Sequence, residues 1–351
     1  MFLTALIIFL IFNLLIFFSL RKKNIYKTTS ALNKISVVIA AKNEADNIPN
    51  LIKALKSQNY DKNFFEVIIV DDNSTDETYK VVEQLITNHR NFHLLKAVNK
   101  KFGAKKGALD IGISHTNHDY ILITDADSKP EYNWIESYNR AFQNDYDFVF
   151  GKVIKTAEAN FINKVSRFEN LRNSILIFAA SNLKTPYCAY GSNFGFNKKS
   201  FLNLGGYSST NDKLSGDDDL LIREAVKNNM KIGTVDSKVW SSSKSTLKDY
   251  ISQRSRHTST SHNYILKHQL LLGIWHLLNL ILLFAPIITF QFELIILSIS
   301  KIMIDLLLLS KLQKEFTYSF NFIEIIYSQI IYDIMIIVNF FSSLIKKESW
   351  K

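Results

Sequence analysis

An apolar run over residues 120–124 ends in two carboxylates, Asp125 and Asp127, spaced i, i+2. Carboxylates held that close repel one another unless a cation lies between them, and a hard divalent ion carrying phosphates suits that position. A buried strand that delivers them to its C-terminal tip sets paired negative charge where α/β sheets bind ligands. Other parts of the chain add acids in similar settings. A second apolar run, 65–70, ends at Asp71 and Asp72, and the acids Asp217, Asp218 and Asp219 open an apparent helix over 220–228. Each group also has a plainer role. The turn 71–76 suits the cap of the following helix, and three acids at a helix start gain from its dipole. A basic step, Lys105-Lys106, precedes Gly107-Ala108-Leu109 and reads either as a phosphate-facing cation pair or as two solvated lysines. Among His and Cys no zinc spacing occurs. The one cysteine, Cys188, excludes an internal disulfide and reads as a small buried side chain.

The elements that must carry these residues follow from the pattern of apolar positions. Residues 35–41 form a β-branched run of strand length. Residues 48–58 show helical spacing at Ile48, Leu51, Ile52 and Leu55. Strand 65–70, helix 77–87, a third strand over 92–97 and a short helix opening at Lys105 lead to the strand that ends at Asp125. This alternation argues for an α/β, mostly parallel sheet flanked by helices. Several of its strand tips are polar and acidic and would share one edge.

At this point a family resemblance enters. The blocks 38–44, 69–76 and 124–127 resemble the nucleotide-sugar-binding half of family-2 glycosyltransferases of the GT-A fold, which is Rossmann-like. The blocks 191–196, 204–207 and 215–220 resemble the acceptor half. The resemblance covers about residues 34–260. It implies that Ala40 and Glu44 edge the base, and that Asp71 or Asp72 accepts from the nucleoside. It implies further that Lys106 approaches the phosphates, that Asp125 sits toward ribose and sugar, and that Asp127 ligates Mg²⁺ or Mn²⁺. One carboxylate of the 217–219 run would be the general base; Asp218 is preferred and Asp217 second, because the acid run is offset by one from the usual pattern. Gly206 reads as conformational. Gln253 and Arg256 match a Gln-x-x-Arg-Trp block that packs on the diphosphate, but His257 replaces the tryptophan, which favours transfer of a single sugar over processive synthesis.

The chain of 351 residues carries a net charge of +10. No aromatic-interleaved basic motif accompanies that charge, so the expected partners are anionic headgroups and an anionic nucleotide, with no nucleic acid. Residues 2–20 are long enough to span a bilayer, and Arg21-Lys22-Lys23 follows them, the reverse of a secretory signal. Apolar stretches at 270–290, 292–309 and 322–344 come late; Lys301, Asp305, Glu324 and Asp333 interrupt the last two, so one of these is expected to be interfacial or re-entrant. The terminal 346–351 would otherwise lie outside, against the positive-inside tendency.

The expected organisation is therefore an anchor at 1–21, a nucleotide-sugar-binding half at 33–150, an acceptor and catalytic half at 151–267, and transmembrane or interfacial helices at 268–345. The expected protein is an inverting, metal-dependent glycosyltransferase of the inner membrane, multi-pass, with its catalytic domain cytoplasmic. It would move a sugar from a nucleotide diphosphate sugar, UDP-linked by preference, to a lipid or lipid-linked glycan. The alternatives are a sugar-phosphate nucleotidyltransferase-like enzyme, against which 40–47 lacks a glycine, and an inactive nucleotide-sugar-binding membrane protein.

Overall fold

The computed structural model describes residues 2–22, 26, 30–211, 213, 215–289 and 291–345. In chain order its elements begin with α1 (Phe2–Arg21), β1 (Ile35–Ala41), α2 (Ile48–Lys56), β2 (Phe65–Asp71), α3 (Thr78–Ile86), β3 (Phe92–Lys96), α4 (Ala104–Ser114) and β4 (Tyr120–Ile123). They continue with β5 (Ser128–Pro130), α5 (Trp134–Phe142), β6 (Phe148–Lys155), α6 (Phe161–Asn182), β7 (Phe194–Asn197) and α7 (Lys198–Asn203). The last are α8 (Asp219–Lys227), β8 (Ile232–Ser241), α9 (Leu247–Ser261), α10 (Leu266–Thr289), α11 (Phe292–Leu312) and α12 (Phe322–Ile345).

These elements form two compact units. One, the α/β unit, joins residues 24–156 with 188–242; the other, helical, joins 1–23, 157–187 and 243–346. The contacts therefore divide along a different line from the expected halves at 33–150 and 151–267. Segments 157–187 and 243–267 belong to the helical unit because α6 and α9 pack with helices rather than with the sheet.

The α/β unit holds one eight-stranded sheet in the order β3-β2-β1-β4-β7-β6-β8-β5. Strands β1, β2, β3 and β4 pair in parallel, while β7 runs antiparallel to both β4 and β6, and β5 antiparallel to β8. Strands β6 and β8 also pair in parallel, so four of the seven pairings are parallel and the sheet is mixed with the expected parallel majority. The strand-then-helix rhythm that signals parallel pairing extends only to α5; β7 takes its place through register with distant strands, which local periodicity does not report. Every residue of β1 and β2 is buried, as expected for strands covered on both faces. Helix α2 turns Ile48, Leu51, Ile52 and Leu55 onto the core around Val37, Ile39 and Ile69.

Register levels the strand tips. Ala41 lies beside Asp71, and the Asp72 N–H donates to the Ala41 carbonyl at 2.7 Å. Beyond the tips, Asn43 and Asn73 adopt φ of 54° and 55°, a region asparagine tolerates better than most side chains. The Asn43 Oδ1 accepts from the Thr75 N–H at 2.8 Å, and the Asn43 N–H donates to Ser74 Oγ at 3.0 Å, stitching the two tip loops together.

In the helical unit, α1, residues Leu266–Ile287 of α10, and α12 are long and apolar enough to cross a membrane. Helix α11 buries Lys301 and Asp305. Arg172 of α6 meets Asp305 at 3.0 Å, Lys301 meets Asp305 at 3.1 Å and Asp333 of α12 at 3.5 Å, and Arg172 donates to Asn279 Oδ1 of α10 at 3.3 Å. Those charges face one another between helices, the arrangement in which intramembrane charge is tolerated. The expectations that fall on Lys23, Phe290 and 346–351 lie outside the described residues.

Candidate functional site

The acids from separate parts of the α/β unit meet on a lysine. Lys105, on the first turn of α4, reaches Asp125 Oδ1 at 2.7 Å and Asp217 Oδ2 at 2.8 Å. Ala104, the residue before it, has a φ of 54°, so the turn presenting Lys105 is held against the local preference of a residue with a Cβ. Burial alone would pull the Lys105 ammonium down. Asp125 and Asp217 outweigh it and lift the group well above the usual lysine range.

The neighbouring acids of the 217–219 run are held in opposite states. Burial works against the charge on Asp217, but Lys105 first and Lys106 after it keep that carboxyl below its ordinary range. Asp218 is pushed well above its ordinary range, by burial first and then by Asp219 and Asp217. Their contacts differ in the same sense. Asp218 Oδ2 accepts from the Gly191 N–H at 2.5 Å and Oδ1 from the Asp219 N–H at 2.8 Å, so it caps α8 and braces the 191–193 loop. Gly191 is small for that purpose: a Cβ there would stand 3.0 Å from Asp218 Oδ2. The same loop is tied to the Asp125 strand, since Thr124 Oγ1 donates to the Ser192 carbonyl at 2.8 Å. Asn193, fully buried, is the hub beneath it; its Oδ1 accepts from Trp134 Nε1 and from the Tyr138 hydroxyl, both at 2.8 Å.

The β1 and β2 tips bring Ala40, Glu44, Asp71 and Asp72 to one edge. Glu44 is buried, its N–H donating to Thr78 Oγ1 at 2.8 Å and its Oε2 accepting from Asn47 Nδ2 at 2.7 Å. Asp72 Oδ1 accepts from Lys100 Nζ at 2.6 Å, and that ammonium lies 3.5 Å from the Ala104 carbonyl beside Lys105. Asp71 Oδ1 and Asp72 Oδ2 are buried and have no hydrogen-bond donor among the described residues. An orphaned buried carboxylate oxygen is costly and points to a donor still to come.

Several expected site residues stand elsewhere. The Lys106 ammonium donates to the carbonyls of Thr210 at 2.5 Å and Lys213 at 2.9 Å, so of the two lysines it is Lys105 that reaches the carboxylates. Adjacent helix positions point about 100° apart at 3.6 residues per turn, and which one faces the acids depends on how α4 is rotated against the sheet. Gly206 has a φ of 57° next to Gly205 at 80°, as the conformational reading requires. Gln253 and Arg256 lie on α9, in the helical unit. There Arg254 pairs with Glu169 at 2.8 Å, and Tyr250 donates to the same carboxylate at 2.5 Å. Cys188 is half-exposed rather than buried; its thiol donates to Asp219 Oδ1 at 2.8 Å. Lys100 was not singled out by sequence, and Gly191 and Asn193 entered only as members of the block 191–196, with no role of their own. Only the Asn99-Lys100-Lys101 run after β3 carried a signal for the first, and the other two act through main-chain and core contacts that leave no spacing pattern.

No group of three or more His, Cys, Asp or Glu able to hold a metal occurs among the described residues. Asp125 and Asp127 therefore offer hard oxygen donors but too few to enclose an ion. That set fits a magnesium- or manganese-like ion that takes its remaining ligands from phosphate and water, and does not fit zinc.

The chain matches the family described as Glycosyl transferase family 2 over residues 36–205, just under half its length. It is 32% identical over 108 residues to glycosyltransferase AglE of Haloferax volcanii, covering 31% of this chain and 35% of that protein. It is 29% identical over 176 residues to the dolichyl N-acetyl-alpha-D-glucosaminyl phosphate 3-beta-D-2,3-diacetamido-2,3-dideoxy-beta-D-glucuronosyltransferase of Methanococcus voltae, covering 48% of this chain and 50% of that one. The chain thus spans a third to a half of the length of these curated relatives. A solved mannosyltransferase from Pyrobaculum calidifontis, in complex with GDP-Man and Mn²⁺, has the same fold, with a TM-score of 0.60, 17% identity, and 99% of this chain and 100% of that one covered.

Proposed function

We propose that this chain transfers a single sugar, with inversion, from a nucleotide diphosphate sugar to a hydroxyl on a lipid or lipid-linked glycan at a membrane. The observation that carries the reading is Lys105, whose ammonium joins Asp125 to Asp217 across 92 residues of sequence within one unit. A nucleoside donor group at Asp71 and Asp72 would satisfy their two orphaned oxygens. Asp127, with Asp125, would hold a divalent ion, which when bound supplies Lewis-acid stabilisation of the departing diphosphate. The lipid-linked acceptor draws its support from the Methanococcus relative and from the three long apolar helices.

Asp217, rather than Asp218, is the better candidate for the base. Both Asp218 oxygens take main-chain N–H groups, which suits a residue that positions the acid run. Asp217 faces the cluster and is held ionised there, ready to accept the acceptor hydroxyl proton. A diphosphate that competes for the Lys105 ammonium raises the basicity of Asp217 as the donor binds.

The test is transfer or donor hydrolysis by detergent-solubilised full-length protein across a panel of UDP- and GDP-sugars, with Mn²⁺, with Mg²⁺ and with chelator. Metal-dependent turnover of one donor is the expected result. A guanine nucleotide is the second reading for the donor, because the solved relative of this fold holds GDP-Man. Absence of binding and turnover with every donor would remove the proposal.

A further inference from the structure

The α/β unit carries a cleft of about 280 Å³ whose wall includes Asn47, Asn50, Asp127, Thr156, Trp240 and Ser242. Trp240 is half-buried and fixed by the sheet on both sides. Lys129 of β5 pairs opposite it in antiparallel register and Ile154 of β6 in parallel register. The rim is braced as well. The Thr156 N–H donates to the Ser241 carbonyl at 3.0 Å, and Lys155 Nζ donates to Ser241 Oγ at 3.0 Å and to the Ser242 carbonyl at 2.8 Å. Asn47, on the opposite wall, donates to Glu44 at 2.7 Å, so this cleft adjoins the edge at which the base would sit.

We infer that this cleft is a sugar-ring subsite in which Trp240 is the stacking platform and Asn47 and Asn50 receive ring hydroxyls. The inference rests on the transfer reading above and adds to it the surface that recognises the sugar. An indole face beside a carboxylate, amides and hydroxyls suits a pyranose, whose C–H faces are apolar and whose rim donates hydrogen bonds. An acyl chain would strand the amides and hydroxyls of the wall without partners. The volume lies just below the usual range for drug-sized ligands, which fits one ring. A tryptophan in this wall also answers the loss of the indole at His257: a stacking face exists, contributed by β8. The ring is either the donor's or the acceptor's, and the experiment separates the two.

Wild type, Trp240→Ala, Trp240→Phe and Asn50→Ala are compared as full-length protein in detergent. The ligands are UDP and GDP, the corresponding nucleotide sugars, the acceptor, and free glucose, mannose and N-acetylglucosamine. Trp240→Ala is expected to hold bare nucleotide affinity within about twofold while weakening the nucleotide sugar, or raising the acceptor KM, by about tenfold, one good stacking contact. Trp240→Phe keeps an aromatic face and is expected to lose about two- to threefold. Weakening confined to the nucleotide sugar assigns the cleft to the donor ring; a raised acceptor KM alone assigns it to the acceptor ring. Equal constants for every ligand in wild type and Trp240→Ala overturn the subsite and leave the transfer reading intact. Wild type that binds no nucleotide overturns the transfer reading. Saturable quenching of tryptophan fluorescence by a free monosaccharide, lost in Trp240→Phe, would then still support the subsite, and its absence would end it. Where Trp240→Ala also loses bare nucleotide, Asn50→Ala, at an exposed position outside the acid cluster, makes the same comparison.

Discussion

In the α/β unit, Lys105 is shared by Asp125 and Asp217 while Asp127, Asp218 and Asp219 lie within two residues of them. In the helical unit, Arg172 and Lys301 are matched against Asp305 and Asp333. The first set has more acid than base and is open, with the Asp125 side chain 38% exposed. The second is balanced and closed, with Lys301 and Asp305 at 0%. An acid-rich, partly solvated cluster can take up a further cation or release one, because water and ligand compete with its internal pairs. A balanced, dry one loses far more than it gains when either partner leaves. Buried ion pairs therefore mean opposite things in the two units: capacity to bind in one, fixed helix register in the other.

The largest effect that would sharpen this contrast is on rate. Asp217→Asn is expected to lower kcat by about 10²–10⁴-fold; equal activity in Asp217→Asn and complete loss in Asp218→Asn would return the base to Asp218. Next is stability in the other unit. Arg172→Met leaves Asp305 and Asp333 facing one buried cation, and is expected to cost about 3–5 kcal/mol in detergent unfolding. The double variant Arg172→Met, Asp305→Leu should recover most of it; a single variant as stable as wild type would erase the distinction between the clusters.

Lys105→Met then separates charge from scaffold. Without the ammonium the Asp217 carboxyl rises from its depressed position, so its protonated form persists to higher pH and the acidic limb of kcat/KM moves upward. The stability that Asp217 contributes is present above its unfolded pKa and lost as pH falls through its folded one, so the variant is expected to be less stable than wild type at neutral pH and to approach it as pH falls. An unmoved limb would detach Asp217 from the rate. The smallest effect is at Gly191→Ala, where a Cβ 3.0 Å from Asp218 Oδ2 must shift that side chain. A few-fold rate loss with normal nucleotide affinity is expected, read as kcat against KM.

Much of this was legible in the chain itself. The β-branched run at 35–41, the spacing of Ile48, Leu51, Ile52 and Leu55, and the apolar-to-acid boundaries at Asp71 and Asp125 all report burial within a few residues. Short-range patterning suffices for that, because a strand or helix face is set by its own period. The apolar helices α1, α10 and α12 are determined in the same way, by length and hydropathy. Which lysine of the 105–106 pair meets the acids, which of Asp217 and Asp218 is tied to main-chain N–H groups, and where a tryptophan faces a cleft depended on the rotation of α4, the loop at Gly191 and the register of β8 against β5. Those are settled by packing among residues dozens of positions apart, and neighbouring residues in the chain carry no record of it. The pairing of Arg172 with Asp305 is the same case: α11 reads as a flawed apolar helix until α6 supplies the cation, and only the folded chain brings the two together.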